Sequence, residues 1–355
     1  MNRADVCIVT GGAGFIGCAL SEGLVSRFNR VIVIDTLNPQ IHLIAKCPDA
    51  LATDVEFLHD DICSSQCWDH VLSRIHEPFS VVHLAAETGT AQSLENATMH
   101  THTNVVGTST MLDAFVRNHK LPKEILLSSS RAVYGEGQWE KEDGTVIYPG
   151  QRSDEQLRHA QWDFENYHYV CQDAGKTAPM PTSVYGTTKL CQENLLSVWG
   201  RAMNVAVKIV RLQNVYGPGQ SLINPYTGIV SLFVRIAKSG QSIPLYEDGK
   251  ILRDFILIDD VKRAILMVLD NDSCIGQILD IGTGVATTIE QVAKIIACRY
   301  GAPTPTVCGK YRNGDVRHAY CNSHRTEEIL GFRAEYTVEQ GLERLCSWID
   351  QQMAN

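Results

Sequence analysis

Tyr185 and Lys189 stand four residues apart in Ser183-Val184-Tyr185-Gly186-Thr187-Thr188-Lys189. On a helix that spacing puts a phenol and an ammonium on one face. A cation beside a phenol lowers its pKa from about 10, so this pair can supply a tyrosinate general base near neutral pH. A Tyr-x-x-x-Lys pair alone is common. Upstream, however, Ser128-Ser129-Ser130-Arg131-Ala132-Val133-Tyr134-Gly135 follows the apolar run Glu124–Leu127, and the C-terminal ends of parallel strands line the ligand crevice of an open α/β sheet.

A third segment supplies an anion cradle. Thr10-Gly11-Gly12-Ala13-Gly14-Phe15-Ile16-Gly17 comes directly after the apolar run Asp5–Val9. Gly11, Gly14 and Gly17 allow a tight turn, close approach of a pyrophosphate and close helix–strand packing, with the amides of Phe15 and Ile16 at a helix N-terminus. The next strand-like run ends at Asp35, 18 residues after Gly17. A carboxylate there accepts hydrogen bonds from ribose hydroxyls and repels a 2′-phosphate. No arginine follows in Thr36-Leu37-Asn38, so the reading is NAD rather than NADP. The third run ends His59-Asp60-Asp61-Ile62; Asp61 is a candidate for the adenine amino group and Ile62 for the ring, and a simple turn explains these residues equally well.

These side chains need a scaffold, and the pattern around them specifies one. Asp5–Val9, Val31–Ile34, Val55–Leu58, Ser80–Leu84, Glu124–Leu127 and Val205–Val210 are β-branched and apolar at nearly every position, and helix-length segments separate them. Strands buried on both faces and joined by right-handed crossovers read this way. Asp254–Asp259 and Gln277–Gly282 look like further short strands, and Gly228–Lys238, Val261–Leu269, Thr288–Arg299 and Val338–Gln351 like helices. The expected fold is α/β, a Rossmann-like doubly wound parallel sheet with a smaller mixed α/β C-terminal lobe. Residues 1–190 form the dinucleotide-binding part, with a strand over 205–212 returning to its sheet, and 191–355 a partly interleaved second part. The 45 residues 136–180 are charged and aromatic with few apolar runs. They are too long for a structureless loop and form either a small subdomain or lid, or a mobile insertion.

The 355 residues carry a formal charge of −9, which argues against a surface built for nucleic acid or an anionic membrane. No apolar run approaches the roughly 20 residues of a membrane span. The chain enters its first strand without an export leader, and its twelve cysteines form no CxxC pair. Reduced, mostly buried thiols in a cytoplasmic protein are the expectation, with no metal site.

With TGGAGFIG, HLAA (His83–Ala86), SSSRAVYG, SVYGTTK, NVYGPGQ (Asn214–Gln220) and RDF (Arg253–Phe255) in this order, the chain resembles the extended short-chain dehydrogenases/reductases of the nucleotide-sugar epimerase/dehydratase group over nearly its whole length. The resemblance implies bound NAD, catalytic Ser130, Tyr185 and Lys189, Ala85 and Ala86 beside the cofactor, and a nucleotide-sugar substrate on the C-terminal lobe. Ser130 would hydrogen-bond the sugar oxygen that loses its proton to Tyr185, while hydride passes from C4 to NAD; Ser128 and Ser129 read as structural. Dehydratases of the group carry Asp-Glu after the catalytic hydroxyl residue, decarboxylases a Glu in that stretch, and a 3,5-epimerase a Cys. Here Arg131-Ala132 follows, and neither side chain can exchange a carbon-bound proton. That favours 4-epimerisation; a 4,6-dehydratase, a decarboxylase and a catalytically silent binding protein are the alternatives. LNPQIH (Leu37–His42), HLAAETGTAQS, SSSRAVYGEG and the long insertion are similar to the dTDP-L-rhamnose 4-epimerase subgroup, which implies dTDP-L-rhamnose as substrate, dTDP-6-deoxy-L-talose as product and a role in surface-polysaccharide synthesis. Substrate candidates are Thr88, Ser130, Arg131, Asn214, Tyr246 for stacking on the base, and Arg253 and Arg312 for bidentate contacts to the diphosphate. Arg211 and Arg317 read as surface or structural ion-pair members and Asp260 as a helix cap. A homodimer through helices around 103–118 and 183–201 is a further expectation from the resemblance.

Overall fold

The computed structural model describes residues 4–42, 44–222 and 228–354. Seven strands, β1 (Ala4–Thr10), β2 (Phe28–Asp35), β3 (Val55–His59), β4 (Phe79–His83), β5 (Glu124–Ser130), β6 (Ala206–Leu212) and β7 (Ile278–Ile281), form the main sheet. Their spatial order is β7-β6-β5-β4-β1-β2-β3 and every pairing is parallel. The order reverses at β1, which pairs with β2 on one side and β4 on the other, opening a crevice at their C-terminal ends. Gln277–Gly282, read as a stray short strand, is the seventh strand of this sheet.

Helices cover both faces. On one, α1 (Phe15–Val25) follows the glycine turn. On the other lie α2 (Ser65–Ser73), α3 (Gly107–Arg117) and α4 (Val184–Met203). The lobe adds α5 (Ile229–Lys238), α6 (Ile258–Leu269), α7 (Ile289–Tyr300) and α8 (Val338–Ala354). Leu20, Leu24, Val33, Val261 and Ile265 belong to the core under α1 and α6, Trp68, Phe115 and Leu196 to that under α2–α4, and Phe233, Val292, Ile296 and Leu345 to the lobe's own core. Full burial of each such side chain contributes about 1.5–3 kcal/mol.

Two expectations are corrected in the lobe. Within Asp254–Asp259 only Phe255–Leu257 is extended, pairing in parallel with Asn214–Tyr216, and Ile258 already opens α6. The cause is helical periodicity: Ile258, Val261 and Ile265 bury one face against α1, so closely that a Cβ on Gly23 would stand 2.5 Å from Leu266 Cδ1. Asp260 caps no helix. It lies in the first turn of α6, pairs with Arg263, and accepts the backbone N–H groups of Glu335 and Tyr336, fixing the approach to α8.

Residues 136–180 fold as a small subdomain. Trp139–Glu140 is the middle of a three-stranded antiparallel sheet with Val146–Ile147 and His168–Tyr169, and Asp154–Arg158 adds a helical turn. Buried ion pairs bolt it to the lobe. Arg152 reaches Glu136 at 3.1 Å and Glu247 at 2.8 Å, and Arg317 reaches Glu247, Asp248 and Asp163 at 2.7–2.9 Å. Arg317 is thus a structural ion-pair member, and a buried one. All twelve cysteines are free thiols; five are buried, five half-buried, and Cys298 and Cys308 exposed. Among the described residues no helix is long and apolar enough to cross a membrane.

Candidate active site

The glycine turn sits at the crevice. Gly11 has φ +66°, and a Cβ there would lie 2.6 Å from Ala85 Cα; on Gly17 it would meet Gly12 O at 2.3 Å. Only glycine lets the chain fold back this tightly. Gly14 is the extended N-cap of α1 with no side-chain cap, so the α1 amides face outward unscreened and carry the positive end of the helix dipole. Asp35 is aimed at this turn: Oδ2 accepts the Ala13 N–H at 3.0 Å and Oδ1 the Leu37 N–H at 2.9 Å, and each oxygen keeps a second lone pair. Backbone donors for a pyrophosphate, a fixed carboxylate for a ribose and no side chain filling the turn fit a dinucleotide. Ala85 and Ala86 are half-buried after β4, as are Phe15 and Ile16 at the start of α1. Asp61 is exposed, with Oδ1 accepting the Cys63 N–H, whereas Ile62 is buried in the core against Gly107.

Ser130 ends β5 and Tyr185 opens α4. Ser183 is the N-cap, its Oγ accepting the Gly186 N–H at 3.0 Å. A Cβ on Gly186 would lie 2.4 Å from Ala132 O, so this glycine lets the first turn of α4 close on the β5 end. The Ser130 hydroxyl accepts the Ala132 N–H at 3.1 Å and lies close enough to the Tyr185 phenol to favour its ionised form. Lys189, one turn along α4, is buried. Its Nζ donates to Gln192 Oε1 at 2.5 Å, Gln192 Nε2 donates to Thr108 Oγ1 at 2.9 Å, and Thr108 Oγ1 is 2.9 Å from His83 Nε2. His83 Nδ1 then lies 2.6 Å from Thr10 Oγ1. This polar chain ties α4 to the ends of β4 and β1.

The electrostatics differ from the sequence expectation. Burial pushes the Tyr185 phenol above its usual pKa, and the groups pulling it down are the Ser130 hydrogen bond and the Arg131 charge. Burial pulls Lys189 down to about 7, against the attraction of Glu193. Lys189 therefore does not lower the phenol directly: its ammonium is turned to Gln192 and is half-lost at neutral pH. Burial also holds His83 neutral, at about 3.

The cations expected to meet substrate gather around one carboxylate. Asp315 feels Arg253, Arg312 and Arg131, which oppose the rise in its pKa that burial causes. Arg253, 9% exposed, lies on a short strand beside His318–Ala319 and donates only to carbonyls: Nη1 to Leu252 and Arg317 at 2.8 and 3.1 Å, Nη2 to Val316 at 2.8 Å. Burial and then the like charge of Arg131 draw its pKa to about 9. A buried guanidinium bonded to carbonyls alone is suited to an anion. Arg131 Nε donates to Asn214 Oδ1 at 2.7 Å. Arg312 is exposed and stacks over Tyr246, 5.2 Å from the ring centroid. Thr88, in the loop after β4, is half-buried and its carbonyl lies 3.3 Å from His100 Nε2.

Several residues escaped the sequence reading. Asn104 sits in a π-helical turn (His102–Val106) and clamps Glu87 through both backbone groups while donating to Thr188 Oγ1 at 2.9 Å. Gln192, Thr108, Asp315 and Tyr169 were equally silent, because no spacing marks them. Arg211 is the structural ion-pair member expected, bidentate on buried Glu193, which also accepts from Ser129.

Residues 7–282 match the NAD dependent epimerase/dehydratase family. The chain is 51% identical over 346 residues to a dTDP-L-rhamnose 4-epimerase of Burkholderia thailandensis, covering 98% of this chain and 95% of that one. It is 25% identical to a UDP-glucose 4-epimerase of Mycolicibacterium smegmatis, over 94% and 95% of the two chains. The structure of a UDP-glucose 4-epimerase of Thermotoga maritima solved with UDP-glucose superposes with a TM-score of 0.81 at 25% identity, covering 98% of this chain and 99% of that one. Sheet order, glycine turn and sequence agree, and this chain is a member of the NAD dependent epimerase/dehydratase family.

Proposed function

We propose that the chain is an NAD-dependent nucleotide-sugar 4-epimerase whose substrate is dTDP-L-rhamnose and whose product is dTDP-6-deoxy-L-talose. The substrate assignment is supported by the 51% identity to the Burkholderia thailandensis enzyme. The reaction type rests on one observation: the Ser130 hydroxyl lies close enough to the Tyr185 phenol to lower its pKa, and Arg131-Ala132 follows. Arg131 is committed to Asn214 and Ala132 has no titratable group, so neither residue directly after Ser130 is placed to move a proton on carbon.

NAD, when bound, supplies reversible hydride acceptance at a sugar carbon. The chain does the rest. The Gly11–Gly17 turn with the Phe15 and Ile16 amides holds the pyrophosphate, and Asp35 the ribose; Asp61, Ile62, Ala85 and Ala86 border the dinucleotide. Arg253 and Arg312 hold the sugar diphosphate, Tyr246 the base, Asn214 and Thr88 the sugar, and Arg131 is a further substrate contact beside Ser130. Ser130 orients the sugar O4; Tyr185, whose phenol burial keeps protonated in the free chain, must first ionise, as the positive charge of bound NAD would favour, before it takes the O4 proton and later returns it, and Lys189 stands one turn along the same helix. Residues 1–190 with the 205–212 strand form the cofactor part and 191–355 the substrate part of this reading. It also includes a homodimer, supported by exposed Val106, Val116 and Val198 on the 103–118 and 183–201 surfaces, and a cytoplasmic setting, which suits twelve free thiols.

The test is a panel of dTDP-, UDP-, GDP- and CDP-sugars with the NAD-loaded protein, products resolved by NMR. A C4-inverted sugar is expected, and Tyr185→Phe should lose turnover while keeping NAD. A stable 4-keto-6-deoxy product, turnover by the Phe variant, or no conversion of any sugar would each overturn the proposal.

A further inference from the structure

The subdomain of residues 136–180 carries two side chains with buried, unsatisfied polar atoms, the Tyr169 hydroxyl and the Gln172 amide. Tyr169 lies on the His168–Tyr169 strand. Its ring is held on three sides: Trp139 at 5.6 Å and His318 at 5.4 Å, both edge-on, and Tyr320 at 5.3 Å, tilted. The hydroxyl is buried, and no hydrogen bond satisfies it. The Tyr320 backbone lies to one side and draws on the phenol without a well-formed bond. Leaving a buried hydroxyl unsatisfied costs stability, and a phenylalanine would make the same ring contacts without that cost.

The direction of this hydroxyl gives it a use. His318, against which the ring packs, is on the strand that pairs with Leu252–Arg253, and the Val316 and Arg317 carbonyls just before it hold the Arg253 guanidinium. Across the same space stands Arg131, next to Ser130 and fixed by Asn214. The Arg131 and Arg253 charges both reach the Tyr169 phenol and oppose the rise in its pKa that burial causes. Gly137, at φ +68°, lies against the phenol: a Cβ there would contact Tyr169 Cε2 at 3.4 Å and the hydroxyl at 3.7 Å, beside Gln172. Among the described residues neither the Arg131 nor the Arg253 guanidinium hydrogen-bonds a carboxylate, and burial keeps the Tyr169 phenol protonated and able to donate.

We propose that Tyr169 is a substrate-recognition residue, its hydroxyl donating to an oxygen of the glycosyl phosphate held between Arg131 and Arg253, and that the subdomain exists to place it there. This deepens the epimerase reading and rests on it. The subdomain's antiparallel strands, its aromatic packing and the Arg152 and Arg317 ion pairs then serve to fix one hydroxyl against a pocket built by other elements.

The experiment compares wild type and Tyr169→Phe in the NAD-loaded holoenzyme. Calorimetric binding of dTDP-L-rhamnose is measured beside that of dTMP, which lacks both the sugar and the second phosphate. Loss of a hydrogen bond to a charged group should weaken dTDP-L-rhamnose binding and raise KM about 10- to 100-fold. The dTMP affinity and kcat should stay within about twofold, and Tm should be unchanged or higher. Wild-type affinity of Tyr169→Phe for dTDP-L-rhamnose overturns this inference and leaves the epimerase reading intact. Equal weakening for dTMP overturns it too, since the effect would then be a general distortion. A wild-type protein that binds dTMP but not dTDP-L-rhamnose overturns both.

Discussion

Lys189 Nζ lies 2.5 Å from Gln192 Oε1, one turn further along α4 and away from the phenol it was expected to activate. The amide supplies a hydrogen bond but no counter-charge. Burial therefore sets the ammonium's pKa, at about 7, and Glu193 only moderates it.

That placement has a pH signature. The folded chain releases the Lys189 proton near pH 7, the unfolded chain near 10.5. Between roughly these values the unfolded state binds more protons, so this group makes stability rise with pH, and its buried charge is a cost below pH 7. In urea unfolding of the NAD-free protein, Lys189→Met should reduce the gain in stability between pH 7 and pH 9 relative to wild type. An identical slope in both proteins would refute the assignment.

Gly17→Ala tests the cofactor turn. The added Cβ would meet the Gly12 backbone at 2.3–2.5 Å, and backbone atoms cannot swing aside as a side chain can. The turn must open, moving the α1 amides off the pyrophosphate. The expected result is protein that purifies with little or no NAD and gains little thermal stability when NAD is added, as read by absorbance and Tm.

The Arg211–Glu193 pair is sealed, with both side chains no more than 3% exposed. Arg211→Ala strands a buried carboxylate and should destabilise the chain by about 3–5 kcal/mol in urea unfolding. Arg211→Met with Glu193→Leu removes both charges at similar volume and should recover much of that loss.

Arg317→Ala cuts the ties to Asp163, Glu247 and Asp248 at once. The 136–180 subdomain should loosen from the lobe. Limited proteolysis is expected to cleave within it faster than in wild type, and KM should rise more than kcat falls.

Much of this was legible beforehand because it is local. The inner strands of the main sheet are short apolar runs, and a parallel strand buried on both faces has little freedom to read otherwise. Gly11 to Gly17 and Tyr185 to Lys189 are short-range constraints whose backbone geometry the chain carries with it. The errors lie where a tertiary contact overrode a local pattern. Ile258 and Asp259 read as the end of a strand, yet the face that Ile258 shares with Val261 had a partner in α1. Asp260 read as a cap, yet its oxygens meet amides some 75 residues away.

By itself, the order of residues determined the parallel sheet, the glycine turn ahead of α1, the candidate trio of Ser130, Tyr185 and Lys189, and the Arg131-Ala132 pair that follows Ser130. Only the tertiary structure decided the charge environment: Lys189 facing Gln192, three arginines around Asp315, Glu136 and Glu247 buried between Arg152 and Arg317, and the Tyr169 hydroxyl left unbonded beside Arg131. The reason is physical. A backbone turn depends on neighbours in sequence, whereas a buried charge or hydroxyl takes its energy from whatever lies within a few ångströms, and here those groups come from segments far apart in the chain.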